Sequence, residues 1–182
     1  MSYRFRAWVM VSRERVDSPQ KSAYEHLADL LSMDSSRIRK ILSTFGDHDF
    51  VVPVEAESLE GIHDAVVQMD RGEGVDYTTT YVAVRPDFSN AGRFDGGTNN
   101  PQAVVRIITD SDARTAAYEQ LRTMPEIDLV DIVFGDCDLI ALVRPNGTNL
   151  EFVSRKLKTV RGIRKTITML PYLPAYLQNQ TQ

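Results

Sequence analysis

The chain has 182 residues, 42% of them hydrophobic and 25% charged, with a formal net charge of −4. These ordinary globular values exclude wholesale disorder, and the negative balance argues against direct nucleic-acid binding as the main task. The single Cys137 rules out an intramolecular disulfide framework. No apolar run approaches the ~20 residues needed to span a bilayer, and Met1 to Arg6 carries no apolar signal segment, so the chain reads as cytoplasmic, without a membrane partner.

In chain order, Phe5, Ala7, Val9 and Val11 alternate with Arg6, Trp8 and Met10, which predicts a strand with one buried face. Trp8 falls outside the first set, and packing is its expected role. Ser22-x-x-Glu25 has the form of a capping box and opens a helix with Tyr24, Leu27, Ala28 and Leu31 on one stripe. Ile38 to Phe45 and Phe50 to Ala56 read as strands of a hairpin whose turn is Gly46-Asp47-His48-Asp49. Pro53 conflicts with an interior strand, where its missing N–H would break a ladder bond. Ser58 caps a second helix with Leu59, Ile62, Val66 and Met69 as its stripe, Gly72 and Gly74 stop it, and Tyr77 to Val84 form a strand.

The same order then recurs: Ala103 to Ile108 as strand, Ala113 to Arg122 as helix, and Ile127 to Phe134 with Leu139 to Arg144 as hairpin. The box Thr148-x-x-Glu151 opens a helix with Leu150, Val153, Leu157 and Val160 as its stripe. A last strand, Thr166 to Leu170, is cut short or bent by Pro171 and Pro174. Three landmarks repeat in order: Ala-Tyr-Glu-x-Leu at Ala23 and Ala117, Gly-Asp-x-Asp at Gly46 and Gly135, and Gly-(Val/Ile)-x-x-Thr-x-Thr at Gly74 and Gly162. A duplicated domain follows, with residues 1–85 and 103–174 as units of about 80 residues, 86–102 as a Gly- and Asn-rich linker and 175–182 as a tail.

Each unit reads β-α-β-β-α-β, so the expected fold class is α+β: two ferredoxin-like units, each an α/β sandwich of four antiparallel strands under two helices. The open sheet faces need a cover, and the economical one is each other, within a chain or in a homo-oligomer, as in a dimeric α/β barrel.

The repeated landmarks resemble the effector-binding (RAM) domain of the Lrp/AsnC regulators, here in tandem and without a helix-turn-helix. The resemblance implies a small-molecule effector, usually an amino acid, bound near the Gly-Asp-x-Asp turns. It makes the chain a stand-alone sensing module that oligomerises and acts in transcription regulation through a partner, a DNA-binding relative being one candidate. The ligand-binding residues expected are Gly46, Asp47, His48, Asp49, Gly135, Asp136 and Asp138 in the turns, with Thr78, Thr80, Thr166 and Thr168 on the last strands.

The structural alternatives are plain. Asp and Gly suit hairpin turns for backbone reasons, Thr is a good strand former, and a turn histidine is ordinarily exposed to solvent. His26, His48 and His63 have no metal-ligand spacing, Cys137 adds no matching set, and no phosphate loop, dinucleotide fingerprint or serine elbow occurs, so neither metal, cofactor nor catalytic residue is expected. The basic stretch Arg155 to Lys165 reads as a solvated helix face. The rival reading is a dimeric α/β-barrel enzyme of the small monooxygenase, decarboxylase or isomerase type, with His48, Asp47, Asp49 and nearby arginines as acid-base groups.

Overall fold

The computed structural model describes residues 5–14, 20–34, 37–84, 86, 88, 103–144 and 152–172. The first half runs β1 (Phe5–Arg13), α1 (Gln20–Met33), β2 (Leu42–Phe45), β3 (Phe50–Ala56), α2 (Leu59–Asp70) and β4 (Val75–Val84). The second runs β5 (Ala103–Thr109), α3 (Arg114–Arg122), β6 (Ile127–Phe134), β7 (Leu139–Val143) and β8 (Ile163–Pro171). A π-helical turn, Phe152–Lys156, and a 3-10 turn, Leu157–Thr159, precede β8.

The fold is α+β. Its eight strands close into one antiparallel barrel in the order β1-β3-β2-β8-β5-β7-β6-β4. Each half supplies four adjacent strands, and the seams between halves are thin. Only Thr44 with Pro171 and Phe45 with Leu170 join β2 to β8. Val82, Ala83 and Val84 join β4 to Phe134, Val133 and Ile132 of β6. Closure leaves no sheet edge open at these seams.

Alternation along each strand divides the apolar side chains between two sides. Ala7, Val9 and Val11 of β1 pack with Leu27, Leu30, Ile62 and Met69 of the helices, and Val105, Ile107, Leu121 and Leu157 build the matching outer core of the second half. Trp8, Met10, Val51 and Tyr81 meet Val104, Ile140, Leu142 and Met169 inside the barrel, so the two sheets cover each other within one chain. Full burial of each such side chain contributes roughly 1.5–3 kcal/mol.

Several boundaries differ from the sequence reading. Ser22 lies inside α1, and the buried stripe is Ala23, Leu27 and Leu30, with Tyr24 and Leu31 at its flanks. Strand β2 starts only at Leu42, and the preceding segment contributes a lone bridge between Ile38 and Val54. That shortening accommodates Pro53. Its carbonyl accepts from Arg39 N–H at 3.2 Å, so its missing donor faces the stretch where no regular pairing has begun. Ser58 does cap α2, its hydroxyl accepting from Gly61 N–H at 3.0 Å, but Leu59 is 53% exposed and Ala65 takes the inner position. Before β8 the expected helix is a π turn and a 3-10 turn that bury Val153, Leu157 and Val160; Thr148, Leu150 and Glu151 lie outside the described residues. Strand β8 has 9 residues against 10 in β4, and it runs through Pro171, which sits at the seam with β2.

Candidate active site

The repeated turns lie where the halves meet. A Cβ on Gly46 would stand 2.9 Å from Met169 Cγ, and one on Gly135 would stand 2.5 Å from Tyr81 Cδ1. Each turn glycine of one half is thus pressed on the last strand of the other, and glycine is required by contact. The fourth residue works at home. Asp49 accepts from Arg13 N–H and the Arg13 guanidinium, both at 3.0 Å. Asp138 accepts from Thr109 N–H at 2.8 Å and Thr109 hydroxyl at 3.1 Å, and pairs with Arg114. Both carboxylates tie down strand ends where the register slips, between Ser12 and Arg13 and between Ile108 and Thr109. Burial works to raise Asp138, and the Thr109 donors with the Arg114 guanidinium outweigh it, holding the carboxyl below its ordinary range.

The second residue of each turn reaches across. Arg106, with its side chain 5% exposed, donates to Asp47 and to the Tyr81 hydroxyl, and that hydroxyl donates to Asp136 Oδ1 at 2.7 Å. Burial first, then the Asp136 hydrogen bond, push the Tyr81 phenol up.

A cavity of about 300 Å³ opens beside the first turn. Ser12 and Arg13 line it from β1, Gly46 to Asp49 from the turn, and Asp76 and Tyr77 from β4. His48 is only 8% exposed, against the expectation of a solvated turn histidine. Its Nδ1 lies 3.3 Å from Asp47 Oδ1, off the line of a hydrogen bond, and its ring meets Tyr77 edge-on at 6.0 Å. Ser12 Oγ is buried without a hydrogen-bond partner. The matching slot in the second half holds Cys137, whose thiol burial pushes up to about 12, so it stays protonated at neutral pH.

The expected residues therefore separate. Gly46, Asp47, His48 and Asp49 share the cavity wall, and Gly135, Asp136 and Asp138 form the other turn. Thr78 and Thr80 pair with Val11 and Val9, and Thr166 and Thr168 with Ile107 and Val105, which puts all four on the helix-bearing face; Thr78 donates to Asp70 at 3.2 Å. Ser12, Arg13, Tyr81 and Arg106 were not singled out. Arg106 had a signal, a charge inside the apolar run Val104 to Ile108.

A second buried polar group sits elsewhere in the barrel. Arg6 donates to Glu55 at 2.7 Å and to Asp131 at 3.3 Å, and Trp8 Nε1 donates to Asp131 at 2.9 Å. Burial raises the Asp131 carboxyl despite the Arg6 charge.

No protein-family model and no curated protein matches the chain. Solved structures do. A heme-binding protein from Thermus thermophilus is 9% identical with a TM-score of 0.58, covering 98% of this chain and 95% of its own. A variant of chlorite dismutase from Candidatus Nitrospira defluvii, in complex with cyanide, is 15% identical with a TM-score of 0.56, covering 93% and 90%. TTHA0845, also from Thermus thermophilus, is 30% identical over 41% of this chain and 94% of its own, with a TM-score of 0.37. The whole-chain likenesses establish a shared fold. They run to heme-binding and chlorite dismutase proteins, and so overturn the expectation of an amino-acid-sensing module in transcription regulation. Among the described residues no helix is long and apolar enough to cross a membrane.

Heme asks for an axial His, Cys, Met or Tyr facing an apolar slot. The three histidines and the Cys, Met and Tyr side chains of the barrel core do not fit it. His26 Nε2 donates to Gln68 carbonyl at 2.9 Å, His63 lies on the exposed side of α2, and His48 faces a cavity with three aspartates. Cys137, Met10, Met169 and Tyr81 are packed in the barrel core.

Proposed function

We propose that the chain is an enzyme of the α/β-barrel class, built from two ferredoxin-like βαββαβ units at 1–85 and 103–174, that moves a proton at a carbon acid of a small substrate in the cytoplasm. The strand order β4-β1-β3-β2 in one half and β8-β5-β7-β6 in the other, together with the ordered sequence echo, supports the duplication. The observation that carries the chemistry is His48, buried in a polar cavity with Nδ1 facing Asp47.

Asp47, itself held by Arg106, stands 3.3 Å from His48 Nδ1, and a small turn of the ring on substrate binding makes the hydrogen bond that fixes Nδ1–H and leaves Nε2 to take the proton. The electron pair of the broken C–H bond delocalises onto a neighbouring carbonyl oxygen, to which the Ser12 hydroxyl can donate. For an α-hydroxy ketone, the hydroxyl proton on the reacting carbon then passes to the former carbonyl oxygen, and returning the abstracted proton from the imidazolium to the former carbonyl carbon completes the isomerisation, with the first hydroxyl now the carbonyl. In the decarboxylating variant the pair comes from the C–CO₂ bond, and the proton is delivered from the imidazolium.

The test is isotope exchange. In deuterated water, α-hydroxy ketones and β-keto acids are incubated with the protein, and deuterium uptake or carbon dioxide release is followed by mass spectrometry. His48→Gln should slow the reaction on the order of 10²–10⁴-fold. A variant as fast as the parent, or a parent inert to every carbon acid tried, would sink the proposal.

A further inference from the structure

The cavity also carries information about the charge of what enters it. Its lining holds three aspartates, Asp47, Asp49 and Asp76, against one arginine, Arg13. Two of the three are neutralised where they stand, Asp49 by Arg13 at 3.0 Å and Asp47 by Arg106 from behind. Asp76 is exposed and enters no ion pair among the described residues, so the charge left at the mouth is negative. Beside it Tyr77 is 47% exposed, which places an aromatic side chain at the same rim.

A cluster of carboxylates alone would say little, but the inner wall adds an independent sign. Ser12 is 7% exposed, and its hydroxyl, on the barrel-facing side of β1 opposite Tyr77, has no hydrogen-bond partner. Buried hydroxyls are nearly always satisfied, and this one borders the cavity.

Resting on the reading of this cavity as a reaction site, we propose that it selects a small organic cation: an ammonium-type group held at the rim between Asp76 and the Tyr77 ring, with a hydrogen-bonding oxygen directed inward to Ser12. An anion would meet the unpaired Asp76 first. A neutral molecule of the same shape would keep the Ser12 contact and lose the rim.

Ethanolamine, ethylene glycol and glycolate form a near-isosteric series of positive, neutral and negative charge that share one hydroxymethyl end, the other end being ammonium, hydroxyl or carboxylate. Titrated into the full chain and followed by amide and side-chain NMR shifts at Ser12, His48 and Tyr77, ethanolamine should saturate. Ethylene glycol should bind at least about fivefold more weakly, and glycolate should give no saturable shift. Asp76→Asn should weaken ethanolamine by about three- to fivefold and leave ethylene glycol unchanged, and added salt should erode the difference. Glycolate binding as tightly as ethanolamine, an Asp76→Asn variant with unaltered preference, or no saturable shift from any of the three would overturn the inference. The outcomes separate from those of the exchange assay. Cation selectivity with no proton exchange leaves this inference standing and removes the reaction, whereas exchange confined to anionic carbon acids does the reverse.

Discussion

Gly162→Ala tests how tightly β8 is seated against α3. Gly162 has φ +84°, in the left-handed region, and a Cβ there would stand 2.1 Å from Ala113 Cβ. The conformation alone costs an alanine about 1–2 kcal/mol. Two methyl carbons normally meet at about 3.5–4.0 Å, so strand and helix must also separate by well over an ångström, an overpacking cost of about 1–3 kcal/mol. The combined loss of roughly 2–5 kcal/mol is a large share of a stability on the order of 5–15 kcal/mol, and it should lower the melting temperature by roughly 5–20 °C. Urea unfolding gives the free energy directly. Ala113 is the N-cap residue of α3 and makes no side-chain cap bond, and glycine caps at least as well as alanine. Ala113→Gly should therefore restore the overlap share, about 1–3 kcal/mol, and leave the backbone share in place. A Gly162→Ala protein within about 0.5 kcal/mol of the parent, or a double variant whose losses simply add, would refute this account of the contact.

Two further outcomes follow from the titrating groups. Asp138 has a folded pKa below its unfolded value of about 3.9, so its contribution is present above that pH and fades as pH falls through the folded value; Asp138→Asn should cost on the order of 1.5–3 kcal/mol at pH 7 and flatten the acid limb of the stability profile, measured by urea unfolding between about pH 2 and 5. Cys137, buried and with its thiol pushed up to about 12, should react with a thiol reagent at pH 8 at least about 100-fold more slowly than the unfolded chain, and labelling at the unfolded rate would contradict its placement.

Several strands were legible, the first from its period-two alternation and others as short apolar runs bounded by turn residues. Phe5 to Val11, Phe50 to Ala56 and Ile127 to Phe134 all appear where their patterns put them. Helix α2 was legible because Ser58 stands before an apolar stripe of which Ile62 and Met69 are indeed buried. Ser22-x-x-Glu25 misled, since a capping pattern inside a helix looks the same as one at its start. That the two sheets cover each other was legible, but the seams that close them into one barrel were not: they rest on backbone pairing of a few residues, and the proline at one of them, Pro171, argued locally for a strand's end. The candidate site was half legible. Repetition drew attention to the Gly-Asp-x-Asp turns, but what they contact, Tyr81, Met169 and Arg106, lies far along the chain in the other half. Asp76 and Tyr77 carry no local signal; only folding brings them beside His48.

Arg106 shows what holding both halves of the barrel in one chain permits. It precedes Ile107, whose carbonyl accepts from Asp138 N–H, just as Met10 precedes Val11, whose carbonyl accepts from Asp49 N–H, so Arg106 and Met10 are counterparts. In a symmetric pair of separate chains every substitution is made twice, and a guanidinium on one side would face its own image across the axis. Within one chain the second position is free to be apolar. One cation then answers to two equivalent carboxylates, Asp47 beside it and Asp136 at 3.7 Å, while Met10 fills the space its twin would have taken. The same freedom lets the buried turn residue be histidine at 48 and cysteine at 137. The barrel thereby acquires one chemically distinct mouth from nearly symmetric parts.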